Sequence, residues 1–265
     1  MNMKNDIEPF LDRVICGDNC EVLATMPAET VDLVVTSPPY DDLRTYGGHS
    51  WNFPRLSSEL FRVLKLGGVI VWVVNDATIN GSETGSSFAQ ALHFKSLGMN
   101  IHDTMIWSKP NFSAVGALQC RYAPTFEYMF VISKGAPKTF NPIKDRKTKG
   151  GTVHGNIRQA DGTMKPVSNN GKAMAEYGQR YNVWEIPTHV GDVGHPAPFP
   201  HALASDHIQS WSNPGDVILD PFAGSGTTLK AAKEMNRRFI GIEINPDYVE
   251  ICHLRIAQEV FNFNQ

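Results

Sequence analysis

The sequence predicts a doubly wound, mainly parallel α/β sheet. Short aliphatic runs end abruptly in turn residues, as at Val31–Thr36 and Val217–Asp220, which is how strands covered on both faces read. Stretches with helical apolar spacing lie between them. This alternation recurs at both ends of the chain, which favours parallel strands joined by crossover helices.

The elements follow in order. A strand is expected over 13–18, closing on Gly17-Asp18, and a helix over 19–26 with Asn19 as its cap. Residues 31–36 form the next strand. A helix over 57–66 carries Leu60, Phe61, Val63, Leu64 and Leu66 and stops at Gly67-Gly68. A strand over 69–74, a helix over 86–97 closed by Gly98, and strands over 101–107 and 125–133 come next. Periodicity then vanishes. Residues 134–182 hold many Gly, Asn and Lys and few aliphatics. A featureless loop of that length is unusual in a compact domain, so the segment is expected to be a module, a functional insertion, or a region ordered only with its partner. Order returns with a helix over 202–211, a strand over 217–220, a helix over 229–235, a strand over 238–243 and a closing helix over 247–260. The expected division is 1–133 with 183–265 as one domain and 134–182 as an insertion.

Composition narrows the class. A chain of 265 residues, 42% hydrophobic and 19% charged, suits one large domain with an inserted module. No apolar run approaches the roughly 18 residues of a membrane helix, and the opening residues lack a signal-peptide core. Four cysteines without a second ligand pair suggest neither disulfides nor a metal, and a cytoplasmic setting is expected. The net charge of −3 hides an asymmetry. Residues 134–180 carry ten Lys or Arg against three acids, or +7, while the remainder is −10. That segment reads either as a solvated lysine-rich loop or as a phosphate-binding face.

Two turns carry the chemistry. In Thr36-Ser37-Pro38-Pro39-Tyr40 a strand runs into two prolines. Each proline fixes its own φ and extends the residue before it, so the turn is stiff. Tyr40 stands at a strand end, where α/β sheets bind ligands. The second turn is Asp220-Pro221-Phe222-Ala223-Gly224-Ser225-Gly226-Thr227, a strand end, a tight glycine turn and a helix start. It lacks the spacing of dinucleotide folds and the Lys of a phosphate loop. The following strand ends in Glu243, placed to accept ribose hydroxyls or to cap a helix. Asp18 ends another strand and reads either as an acceptor for an adenine amino group or as a turn aspartate. A ribose-binding acid with a phosphate-free glycine turn describes a nucleoside cofactor such as S-adenosyl-L-methionine.

These motifs resemble the amino-group DNA methyltransferases, and their order resembles the permuted β class, in which the catalytic motif precedes the cofactor motif. The resemblance also takes in residues 105–110, MIWSKP, and 195–200, HPAPFP, and covers the chain except 134–182. It implies a circularly permuted, Rossmann-like methyltransferase sheet. It implies a catalytic turn of Ser37, Pro38, Pro39 and Tyr40, in which the target amino group donates to the Ser37 side chain and the Pro38 carbonyl and Tyr40 stacks on a flipped base. It implies a cofactor site of Asp18, Asp220, Phe222, Ala223, Gly224, Ser225, Gly226, Thr227 and Glu243, with His195 and Pro196 closing over the methionine end. Lys109 is expected on DNA phosphate. Lys144, Arg146, Lys147, Lys149, Arg158 and Arg180 are expected on DNA in the inserted target-recognition region. The implied partners are double-stranded DNA, a second copy of the chain and a cognate restriction endonuclease, with no metal and no membrane. Ser37 leans toward cytosine N4 over adenine N6. An RNA base, a protein amide and an inactive DNA-binding homologue are the alternatives.

Overall fold

The computed structural model describes residues 6–40, 51–111, 120–188 and 200–257. In chain order the elements are β1 (Arg13–Cys16), α1 (Asn19–Thr25), β2 (Val31–Thr36), α2 (Phe53–Val63), β3 (Leu64–Val74), β4 (Thr78–Ile79), β5 (Ser82–Glu83), α3 (Ser86–Ser96), β6 (Asn100–Ser108) and β7 (Phe126–Ser133). Then come β8 (Arg146–Lys147), β9 (Asn156–Arg158), β10 (Met164–Pro166), β11 (Tyr177–Gly178), β12 (Val183–Glu185), α4 (His201–Trp211), β13 (Val217–Asp220), α5 (Thr227–Glu234), β14 (Arg238–Glu243) and α6 (Pro246–Ala257).

One sheet organises the fold, in the order β1-β14-β13-β2-β3-β7-β6-β12. Its pairs are parallel except those of β7, which runs against both β3 and β6. The centre is dry on both faces: Leu33, Val34, Ile70, Trp72, Ile218 and Leu219 are all fully buried. This is why β2 and β13 read as nearly continuous apolar runs rather than alternating ones.

Four local expectations are corrected. The cap of α1 is Asp18, not Asn19: Asp18 Oδ1 accepts from the Glu21 amide at 3.0 Å. Asn19 is the first helical residue, and its side-chain amide donates to Pro221 O at 3.3 Å. Helix α2 starts earlier than expected, because Asn52 Oδ1 caps it by accepting from the Arg55 amide at 3.0 Å and Pro54 suits its first turn. It also ends earlier, since Leu64 is already extended and opens β3. Gly67 is therefore no helix stop. Its amide donates to Lys134 O at 2.7 Å and its carbonyl accepts from the Lys138 amide at 2.9 Å. With φ at +82° and an imagined Cβ only 2.8 Å from Lys138 Cβ, glycine is what lets these backbones meet. Finally, β12 was not expected at all.

Contacts divide the chain into two compact units, 1–141 with 182–265, and 142–181. Residues 134–141 go with the sheet: Lys134 Nζ donates to Phe61 O and Leu64 O, and the Asn141 amide to Ser210 O. The smaller unit is built from antiparallel ribbons, β9 with β10 and β8 with β11.

Candidate functional site

Seven strands of the sheet point the same way, so Gly17-Asp18, Glu243, Asp220, Thr36, Val74, Ser108 and Glu185 gather along its carboxyl edge. Because β7 is reversed, its first residues reach the same edge: Phe126 pairs with Ser108 and Glu127 with Trp107. Doubly wound sheets bind their ligands along this edge.

The glycine turn after β13 is tied down from three sides. Asp220 is 1% exposed. Its Oδ1 accepts from Thr36 Oγ1 at 2.7 Å and from the Phe222 amide at 3.1 Å. Burial pushes the Asp220 carboxyl up from 3.8 to about 6, against hydrogen bonds from Thr36, Thr228 and the Phe222 amide that hold it down. The Ala223 amide donates to Ile242 O at 2.9 Å, joining the turn to β14. From α6, Arg255 Nη1 donates to Ser225 Oγ at 2.9 Å and to Thr227 Oγ1 at 3.0 Å. Gly226, at φ +80°, opens α5 and packs against α6: a Cβ there would stand 2.4 Å from Cys252 Sγ.

Glu243 closes the turn. Its Oε2 accepts from the Gly224 amide at 2.8 Å and its Oε1 from the Asn245 amide at 2.9 Å. A carboxylate offers about four acceptor positions, so capping the loops leaves capacity for a ribose. Asp18 has its Oδ1 committed to the α1 cap and also lines a cleft of about 510 Å³ with Cys20, Trp51, Asn52, Phe53, Pro54 and Arg55. Trp51 meets Phe222 edge-on, ring centroids 5.3 Å apart, so the cleft and the glycine turn adjoin. An acidic acceptor, aromatic walls and a crowded glycine turn fit a nucleoside cofactor, and the volume lies in the usual range for such sites. His195 and Pro196, expected over the methionine end, lie outside the described residues.

The proline turn carries a second polar cluster. Pro38 is buried, while Ser37, Pro39 and Tyr40 are half-buried. Ser37 Oγ lies 2.9 Å from the Tyr40 hydroxyl, which donates to Glu127 Oε2 at 2.7 Å. Glu127 Oε1 is paired with the Lys109 ammonium. Lys109, expected on DNA phosphate, has a side chain that is 11% exposed and packs 4.7 Å from the Trp107 ring centroid. A buried carboxylate beside an apolar strand needs a countercharge, and Lys109 supplies it. Sequence reasoning missed Glu127. The available signal was a single charge in the otherwise apolar, aromatic run of β7.

In the smaller unit, Lys144, Lys147, Lys149 and Arg158 are exposed. Arg146 and Arg180 are engaged internally. Arg180 Nε donates to Asp145 Oδ2 at 2.8 Å, and the Arg146 guanidinium lies 4.5 Å from the Tyr181 ring centroid.

A doubly wound sheet with one reversed strand, a glycine turn held between two acids and a proline-stiffened polar turn beside it define a methyltransferase of the S-adenosyl-L-methionine-dependent class. The model of the DNA methylase family, the N6 and N4 methyltransferases, matches residues 31–254, and the chain belongs to that family. It is 52% identical over 242 residues to the orphan methyltransferase M.BamHII of Bacillus amyloliquefaciens, covering 87% of this chain and 90% of that one. It is 32% identical over 248 residues to the DNA adenine methyltransferase YhdJ of Escherichia coli K12, covering 90% and 80%. Among solved structures, the Thermus thermophilus protein TTHA0409, complexed with S-adenosyl-L-methionine, matches with a TM-score of 0.63 and 29% identity over 95% of this chain and 97% of that one. That complex agrees with the expected cofactor.

Proposed function

We propose that the protein transfers a methyl group from S-adenosyl-L-methionine to the exocyclic amino group of a base flipped out of duplex DNA, at a specific sequence. The observation that carries this reading is the Thr36–Asp220 hydrogen bond of 2.7 Å. It joins the last residue before the Ser-Pro-Pro-Tyr turn to the first residue of the glycine turn. A planar amino group held at one turn then lies beside a nucleoside held at the other. An exocyclic amino nitrogen is a poor nucleophile, because its lone pair is drawn into the ring. Donating both N–H groups to Ser37 Oγ and the Pro38 carbonyl favours a pyramidal nitrogen with its lone pair directed outward. The cofactor supplies a methyl already activated on a positively charged sulfur. The protein's share is therefore alignment and electrostatics. A base inside the duplex cannot reach this edge, and Tyr40 gives the flipped base a ring to stack on.

The 142–181 unit supports the DNA reading, with eight Lys or Arg against three acids. Its exposed Lys144, Lys147, Lys149 and Arg158 suit phosphate contacts. Ser37 favours cytosine N4. Adenine N6 is the second reading, because a 32%-identical relative is an adenine methyltransferase. The orphan relative supports action without a paired endonuclease.

The test is methyl transfer to duplex DNA, single-stranded DNA, RNA and protein, followed by mass spectrometry of the digested nucleosides. Duplex DNA carrying N4-methylcytosine, lost in Ser37→Ala while cofactor binding persists, is the expected result. N6-methyladenine selects the second reading, and methyl groups only on RNA or protein refute both.

A further inference from the structure

A chain of hydrogen bonds runs inward from Ser37. Ser37 Oγ is 2.9 Å from the Tyr40 hydroxyl. The Tyr40 hydroxyl donates to Glu127 Oε2 at 2.7 Å. Glu127 Oε1 meets the Lys109 ammonium. The far end is buried: the Lys109 and Glu127 side chains are 11% and 10% exposed. Lys109 lies against the Trp107 ring, and Trp107 Nε1 donates to Ile186 O at 2.7 Å. The cluster thus draws on the ends of β2, β6 and β12 and the start of β7.

The direction of these bonds follows from valence. An ionised carboxylate only accepts, and a tyrosine has one hydroxyl proton. Glu127 takes that proton's hydrogen bond, so Ser37 must donate its own proton to the Tyr40 oxygen. Ser37 Oγ then has only lone pairs to present outward. A group arriving with an N–H is welcomed there, whereas a carbonyl or a bare ring nitrogen meets repulsion. The identity of Glu127, two side chains away, decides what Ser37 can bind.

We propose that Glu127 is a positioning residue that sets this polarity, and that it receives the proton released when the amino group is methylated. The proposal rests on the amino-methylation reading. In that reaction the nitrogen lone pair forms the new N–C bond, and the methyl–sulfur bond breaks with its electron pair left on sulfur. The nitrogen is left positive, with one proton too many. That proton passes to Ser37 Oγ as the Ser37 proton moves to the Tyr40 oxygen and the Tyr40 proton to Glu127 Oε2. Ser37 and Tyr40 end as neutral hydroxyls, and Glu127 ends as a carboxylic acid that later yields its proton to water. The mono-methylated amino group is neutral, and no oxidant or metal enters the balance.

Two conservative variants test this. Tyr40→Phe keeps the stacking ring and cuts the chain. Glu127→Gln keeps the shape and removes the charge. Each is expected to lower kcat on duplex DNA on the order of a hundredfold, with Kd for S-adenosyl-L-methionine unchanged. The double variant is expected to lose no more than the worse single one, as groups acting as a unit do. Wild-type kcat in Tyr40→Phe, or losses that multiply in the double variant, overturns the relay. If Glu127→Gln does not fold, Tyr40→Phe alone decides.

A readout without DNA separates this proposal from the reading beneath it. With tyrosine labelled by 13C at Cζ, the Tyr40 resonance is identified by its loss in Tyr40→Phe. It is expected to move in both Ser37→Ala and Glu127→Gln. A resonance unmoved in both refutes the hydrogen-bond chain even in an active methyltransferase. A resonance that moves in a chain inert on duplex DNA keeps the polarity and overturns the amino-methylation reading together with the proton route.

Discussion

Replacing Gly226 by alanine tests the packing that holds the glycine turn. The residue sits at φ +80°, and an added Cβ would stand 2.4 Å from Cys252 Sγ and 3.4 Å from Cys252 Cβ. Two costs combine. A left-handed L-residue costs about 1–2 kcal/mol, and overpacking a closed site costs about 1–3 kcal/mol. The expected loss is therefore about 2–5 kcal/mol, a large share of a domain's stability. The two costs can be separated. Gly98 has φ +91° and nothing within 4 Å of an added Cβ, so Gly98→Ala carries the backbone cost alone. Cys252→Ala removes the clashing sulfur, so Gly226→Ala/Cys252→Ala should recover the crowding cost, a coupling of about 1–3 kcal/mol in a double-mutant cycle. Urea unfolding followed by tryptophan fluorescence measures all four variants against wild type. A Gly226→Ala loss no greater than that of Gly98→Ala, or a cycle with no coupling, refutes the argument.

Two further outcomes are expected. Asp220 has its folded value raised from 3.8 to about 6. Below 3.8 both states hold the proton; between 3.8 and 6 only the folded state does, so stability falls as pH rises through that window, by up to about 3 kcal/mol. Asp220→Asn should therefore be more stable than wild type at pH 8, with the gap closing toward pH 4; a gap independent of pH in thermal melts sinks this reasoning. Neutralising Lys147 and Lys149 with glutamine should weaken binding to all duplexes alike and reduce the salt dependence of log Kd by about 2. An unchanged salt slope in fluorescence-anisotropy titrations removes the 142–181 unit from the phosphate contacts.

The legible parts of the fold were those where one physical signal dominated. Strands β2, β13 and β14 stand where the apolar runs put them, because burial on both faces leaves nothing else for such residues to do. Helix α3 ends where Gly98 takes a left-handed φ of +91°. At the junction of α2 and β3 the apolar spacing runs on through Leu64 and Leu66, and tertiary pairing, of Leu64 with Val31 and of Gly67 with Lys134 and Lys138, decides where helix becomes strand. Strand β12 is three residues long with only Trp184 buried, too short to show a period. The two turns of the site were readable because proline and glycine act locally. Glu127 was not, because it reaches this edge only through β7 running backwards, and strand direction is not written in hydrophobic pattern. The Lys109–Glu127 pair was hidden for the same reason, since Glu127 reaches Lys109 only through that reversal.

The pairing of β2 with β13 and of β1 with β14 also governs the order in which the molecule can be made. Strands β2, β3, β6 and β7 come from one continuous stretch, and their mutual pairings can close while the rest of the chain is still being synthesised. The edge of β2 that will receive β13 then stands bare, and β1 has no neighbour until β14 emerges. Pairings so distant in sequence close slowly, because chain entropy is lost before contacts repay it. An unpaired, apolar central strand is also an adhesive surface during that wait. The half-made protein should therefore be the aggregation-prone species, and slower synthesis should lengthen its exposure. Both acids of the glycine turn, Asp220 and Glu243, arrive with the same late strands, so closing the sheet and completing that turn are one event.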